Sequence, residues 1–313
     1  MPMSIIEKAL DKLVKNDKSA LGRLNHDLDV SDMISDDNLI NDDTKEIMDS
    51  NLPKFQKGQD NSGKSKNGFN KKSETVTIDL AFLDTAGFIT PDTKNHQLFE
   101  QYRHLKMQIL SHAFANKTPD GNNSNLVIVT SAVSGEGKTF TSLNLALSVA
   151  YEYNNTVLFM DGDTYKQTSS KLLNIYEKEG LTDYLMDANK NLTDVLFSTN
   201  IEKFTVIPSG KSHARTTELF NSKRMQFLMH ELSRRYNDRL IIIDTPPLLE
   251  DTSTSAIASH ADQVILVIEA EKTPKHIVEE ALRRLEGDKH IGVILNKSNQ
   301  RYGGEYGYYS YGA

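Results

Sequence analysis

A doubly wound α/β fold, with a parallel sheet built around a phosphate-binding loop, is predicted by three observations. Apolar, β-branched runs recur at 126–131, 156–160, 204–207, 240–243, 264–268 and 291–295. Helical patterns lie between them, notably at 138–152, 222–236, 252–260 and 275–287. Strands separated by helices of this length imply parallel pairing with right-handed crossovers. The third observation is the first strand-to-helix junction, Ser131-Ala-Val-Ser-Gly-Glu-Gly-Lys-Thr139. A strand, a glycine-bearing turn and a helix in that order make a loop whose successive amides surround a phosphate chain.

Composition narrows the class. The chain has 313 residues, enough for one sizeable α/β domain and an extension. It has no cysteine, which excludes a disulfide framework and a thiolate metal site. Its histidines show no metal-ligand spacing. A net charge of −7 argues against a general nucleic-acid binder. The longest apolar runs are of strand length, and the N-terminus lacks a basic region followed by an apolar core. A cytoplasmic protein is therefore expected, reaching the inner face of the plasma membrane only through a partner.

Taken in order, residues 1–15 carry an amphipathic helical pattern, with Ile5, Ile6, Ala9, Leu10, Leu13 and Val14 on one face. Ser4 and Glu7 form a capping box for it. Residues 16–75 turn acidic and then basic, with too few large apolar residues for a core. They read as a disordered, flexible linker. The phosphate-binding α/β domain is expected over 76–300. A helix over 95–115 opens it, with Leu98, Tyr102, Leu105 and Ile109 as its apolar stripe. Glu100, Arg103 and Lys106, spaced by three, are expected to share one side of that helix. Residues 301–313 form a glycine-rich tail with Tyr302, Tyr306, Tyr308, Tyr309 and Tyr311, too poor in apolar residues to pack as core.

The chemistry is expected at the carboxyl ends of the strands. Nucleotide contacts fall on Ala132, Val133, Ser134, Gly135, Glu136, Gly137, Lys138, Thr139 and Phe140. Ala132 stands where the common pattern has its first glycine. Lys138 is placed to reach the β and γ phosphates of ATP, and the Thr139 hydroxyl to hold Mg²⁺. The second strand ends Asp161-Gly-Asp163, and the fourth ends Asp244-Thr-Pro-Pro247. An aspartate ending a buried strand is costly unless it meets a cation or hydrogen-bond donors. Asp161, Asp163 and Asp244 are therefore expected to converge on Lys138 and Thr139. Asp163 and Asp244 would serve the metal, and Asp161 and Asp163 would orient it or take a proton from an attacking hydroxyl. Asn296 and Lys297 end the last strand and are expected near the base of the nucleotide.

These features resemble the bacterial tyrosine kinases of exopolysaccharide synthesis, P-loop proteins unrelated to eukaryotic protein kinases. The matching features are the loop Ser134-Gly-Glu-Gly-Lys-Thr139, the strand end with Asp161 and Asp163, Ile243-Asp-Thr-Pro-Pro247 and the tyrosine tail. The opening residues 3–13 are similar to the branch found beside exosortase-type loci. The resemblance implies autophosphorylation of the tail between subunits of a ring, an octamer in that family. It implies ring packing through Glu100, Arg103 and Lys106, a separate membrane activator of the chain-length-determinant type, and a cognate tyrosine phosphatase. The sequence departs from the family at Tyr165, where an arginine is usual, and at Lys106. The alternative is a partition or septum-positioning scaffold ATPase, which shares the fold. That group has a lysine where this chain has Val133, and its septum-positioning members end in an amphipathic helix rather than tyrosines.

Overall fold

The structure is a computed structural model that describes residues 74–298, apart from 116–123, 153, 237 and 286–288. The N-terminal helix, the linker and the tyrosine tail expected from the sequence lie outside the described residues. The sheet has eight strands in the order β1-β4-β5-β3-β6-β2-β7-β8. They are β1 (Thr75–Val76), β2 (Leu126–Ser131), β3 (Thr156–Asp161), β4 (Phe197–Thr199), β5 (Phe204–Ile207), β6 (Arg239–Asp244), β7 (Gln263–Glu269) and β8 (His290–Asn296). The pairing is parallel except between β4 and β5, which run antiparallel. The doubly wound parallel sheet expected from the sequence is present, with one antiparallel pair within it. Strand β4 is three residues long and joins β5 by a short connection, which favours a hairpin over a crossover.

The apolar runs of β2, β3, β6 and β7 are strands buried on both faces, which is why they read as continuous rather than alternating, whereas the edge strand β8 is only partly buried. Alternate residues enter opposite layers. Val127, Val129, Val157, Phe159, Leu240 and Ile242 face one core; Ile128, Leu158, Met160, Ile241 and Ile243 face the other. Helix α1 (Leu80–Thr85), helix α2 (His96–Ala115) and helix α3 (Lys138–Ala150) cover the first face. The second is covered by α5 (Leu181–Met186), α6 (Thr216–Phe220), α7 (Lys223–Arg235), α8 (Thr252–Ala258) and α9 (Lys275–Arg283). The short α4 (Thr168–Leu172) follows β3. Strand β2 lies between β6 and β7, so the chain reverses its direction of winding around it. The crevice at that switch point opens at the carboxyl ends of β2, β3 and β6.

Helix α2 corrects a sequence expectation. Glu100 and Arg103 face outward, their side chains 54% and 57% exposed, and pair at 3.4 Å. Lys106 does not share that side. Each step of three residues falls about 60° behind a full turn, so the drift over six is about 120°. Lys106 instead joins the stripe of Tyr102, Ile109 and Ala113 and is 3% exposed. Its ammonium reaches Glu152 at 2.6 Å and donates to Ser148 O at 3.2 Å, clamping α2 to the end of α3. Lys106→Ala is therefore expected to destabilise the fold by about 1–3 kcal/mol, through lost stem packing and an orphaned carbonyl. Arg103→Ala should stay within about 0.5 kcal/mol. Chemical denaturation of both variants checks this.

Candidate active site

The loop after β2 is shaped by its glycines and by one inward-turning acid. Gly135 and Gly137 have φ of +88° and +96°, a region open to glycine and strained for other residues. Gly137 caps α3 with no side-chain bond, so the first amides of the helix are not satisfied by a cap. Among the described residues, the amides of Gly135, Glu136, Gly137, Lys138 and Thr139 donate to no protein acceptor. A run of free amides at a helix N-terminus is an anion cradle. Glu136 would repel an anion if it faced this cradle, but it turns inward and is 2% exposed. Its carboxylate accepts Val133 N at 2.8 Å and Glu269 N at 3.4 Å, and also bonds the Thr273 hydroxyl. The acid braces the loop instead of lining the site.

Strand β8 supports the loop from below. Asn296 Nδ2 donates to Glu136 O at 2.8 Å, and Lys297 Nζ donates to Gly135 O at 2.7 Å. A Cβ at residue 137 would collide with Asn296 Nδ2 and would also hold a strained φ. Gly137→Ala is therefore expected to abolish nucleotide binding, checked by titration calorimetry. Its cost to stability should be on the order of 1–3 kcal/mol, as for other strained backbone positions.

The acidic strand ends lie beside the loop, with Asp163 and Asp244 near Lys138. Asp161 and Asp244 are register partners at the ends of β3 and β6. Gly162 permits this closeness: its amide donates to Asp244 O at 2.7 Å, and a Cβ there would press on that same oxygen. Lys138 Nζ donates to Asp163 Oδ2 at 3.0 Å and lies 3.9 Å from Asp244 Oδ1. Asp161 does not touch the lysine. Its Oδ1 accepts Asp163 N at 3.0 Å, and its Oδ2 accepts Ser170 N at 2.9 Å and Ser170 Oγ at 2.6 Å. Asp244 Oδ2 accepts Ser169 Oγ at 2.9 Å. All three aspartates are at most 1% exposed. Ser169, at the start of α4, escapes sequence reading because its partner Asp244 lies 75 residues away.

Burial dominates the electrostatics. It pushes the Asp161 carboxyl up to about 7, helped by the neighbouring Asp244 charge and opposed by the three bonds the carboxylate accepts. Burial also raises Asp244, against the pull of Lys138 and Thr139. Burial discourages charge on Lys138, but the Asp244 and Asp163 carboxylates outweigh it and hold its pKa above the usual value. Asp244 Oδ1 is buried beside Lys138 and the Thr139 hydroxyl and has no hydrogen-bond partner. An orphaned carboxylate oxygen next to a hydroxyl and a phosphate cradle has the donor set that Mg²⁺ uses in nucleotide sites. Among the described residues, no group of three or more His, Cys, Asp or Glu is placed to hold a metal by itself.

Comparison with known proteins then decides the family. The family model described as an AAA domain matches residues 125–289, which contain the loop and all three aspartates. The tyrosine-protein kinase CpsD of Streptococcus agalactiae is 34% identical over 194 residues, covering 60% of this chain and 83% of the relative. The chain belongs to the bacterial tyrosine-kinase family. Solved structures agree with this. The kinase domain of VpsO is 31% identical, with a TM-score of 0.54, and the match covers 66% of this chain and 98% of that one. The chimerical protein CapA2B2 is 27% identical, with a TM-score of 0.57, covering 73% and 94%. The protein is thus a P-loop protein-tyrosine kinase, and membership selects this reading over the scaffold ATPase. In this kinase Tyr165, at the family's arginine position, is 82% exposed. Lys166 beside it reaches the loop, donating to Ser134 Oγ at 2.6 Å. No helix among the described residues is long and apolar enough to cross a membrane.

Proposed function

We propose that this kinase binds ATP and Mg²⁺ in the 132–140 loop and phosphorylates tyrosines of its own C-terminal cluster. The observation that carries this reading is the juxtaposition of free loop amides, a charged buried lysine and an orphaned Asp244 oxygen at one strand-end crevice. The amides and Lys138 bind and orient the phosphates. Thr139, Asp163 and Asp244 would hold Mg²⁺, which supplies charge neutralisation at the transferring phosphoryl group. The tyrosine hydroxyl attacks the γ-phosphorus, the bond to the bridging oxygen breaks and ADP leaves. The hydroxyl proton passes to Asp161, which accepts three hydrogen bonds and keeps about one acceptor position free.

Transfer between neighbouring subunits of a ring fits a tail among glycines better than folding back onto its own site. Glu100 and Arg103 remain available for ring packing on the exposed side of α2, whereas the buried Lys106 does not. Several phosphates on one tail, each adding about −1.5 to −2 charges, would repel one another and favour release of subunits. A cognate phosphatase would reset the cycle. A separate membrane activator would bring the kinase to the inner face of the membrane, where it regulates exopolysaccharide polymerisation or export. The test is intact-mass analysis after incubation with ATP and Mg²⁺. Added phosphates should map to Tyr302, Tyr306, Tyr308, Tyr309 and Tyr311. ATP hydrolysis with no added mass, even with an activator's cytoplasmic segment present, would overturn the autokinase reading.

A further inference from the structure

One contact at the mouth of the cradle places a carboxylate on a loop amide and hydroxyl. Glu250, in the loop after β6, lays its carboxylate on Ser134. Ser134 N donates to Oε1 at 2.5 Å, and Ser134 Oγ donates to Oε2 at 2.5 Å. The same hydroxyl accepts from Lys166 Nζ at 2.6 Å. An anion held by two oxygens on a loop amide and hydroxyl, with a lysine alongside, reproduces the contacts a phosphate would make there.

The surroundings say which part can move. The Glu250 loop is stitched to the cradle: Leu248 N donates to Ser131 O at 2.8 Å and Leu249 N to Ala132 O at 3.2 Å. Arg284 Nη1 donates to Leu248 O at 2.9 Å from the other side. The backbone is fixed, so only the Glu250 side chain is free to leave. The Lys166 backbone is also pinned, since its amide donates to Asp163 Oδ1 at 3.0 Å. Its side chain, those of Ser134 and Glu250, and the contacts among them are exposed. Exposed charge contacts are weak and exchangeable.

We propose that Glu250 is a carboxylate stand-in for phosphate at the Ser134 end of the cradle, displaced by an entering nucleotide, which then takes over Lys166 as a positioning cation. A triphosphate repels the carboxylate and attracts the ammonium, so one event changes both partners. The bonds from Ser134 hold the Glu250 carboxyl below its usual value, so the stand-in is charged at neutral pH. The inference rests on the 132–140 loop being the nucleotide site.

The experiment is calorimetric titration of the full chain with a non-hydrolysable ATP analogue and Mg²⁺. Glu250→Ala should tighten binding about tenfold, the scale of one charge-assisted hydrogen bond no longer in competition. Glu279→Ala, an exposed acid on α9, should leave binding unchanged. Lys166→Met should weaken binding about tenfold, with Lys166→Arg restoring most of the loss. The tightening should persist in about 0.5 M KCl, where fields from exposed charges are screened within a few Å. Unchanged or weaker binding by Glu250→Ala overturns the stand-in, as does a tightening that vanishes in salt. Unchanged binding by Lys166→Met overturns the handover. No binding by the wild-type chain would overturn the cradle reading itself.

Discussion

Lys138→Met is expected to lower phosphoryl transfer by at least about a thousandfold, the scale lost when a cation facing the transferring phosphoryl group is removed. The same change should destabilise the protein in a pH-dependent way. Lys138 is the cation among three buried carboxylates and touches Asp163 at 3.0 Å. Without it, Asp244 loses the charge that favours its ionised form and rises further above its ordinary value. A carboxyl with a raised folded pKa contributes full stability below its unfolded pKa and loses it as pH rises through the folded one. The variant should therefore approach the wild type near pH 4. It should fall behind by about 3–5 kcal/mol near pH 8, as when one partner of a buried ion pair is removed. Urea denaturation across that range, with radiolabel transfer at pH 7.5, measures both effects. Equal stability at pH 8 would mean that the carboxylates are not held by this lysine.

Asp161→Asn carries the second large effect. As proton acceptor for the tyrosine hydroxyl, Asp161 should be worth about 10²–10⁴ in rate. Substrate affinity should change little, because its bonds run to Asp163 N and Ser170 rather than to the cradle. Single-turnover transfer alongside nucleotide titration separates the two quantities. A loss of nucleotide binding equal to the loss of rate would make Asp161 a brace for the β3–α4 turn instead of a base. The metal- and nucleotide-free protein offers an independent check. Wild-type Asp161 has its carboxyl raised to about 7, against about 3.9 in an unfolded chain. Its contribution is fully present below the unfolded value and fades as pH rises through about 7. Asn, which does not titrate, should remove that part of the slope between pH 4 and 7.

The sequence by itself determined the order of core strands and helices and the ends of the strands that carry chemistry. Each is a local signal: β-branched runs buried on both faces, a Gly-Lys-Thr turn between strand and helix, and aspartates where apolar runs stop. Helix α2 was expected over 95–115 and spans His96–Ala115 for the same reason, a 3.6-residue stripe. Short elements were less legible. Strands β1 and β4 have two and three residues, too few for periodicity to register.

Only the tertiary structure decided which polar groups meet. A charged residue in a sequence motif says nothing of the side on which its partner waits. Glu136 and Lys106 both look like surface groups, and both are buried because a distant segment supplies Thr273 or Glu152. Ser169 joins Asp244, Asn296 supports Glu136 O, and Glu250 covers Ser134, across separations of 75, 160 and 116 residues. Such contacts depend on how far side chains reach across a folded sheet, and hydrogen bonds form within about 3 Å. Chain periodicity carries that information only along a single element, so the strand ends could be named from sequence while the groups converging on them could not.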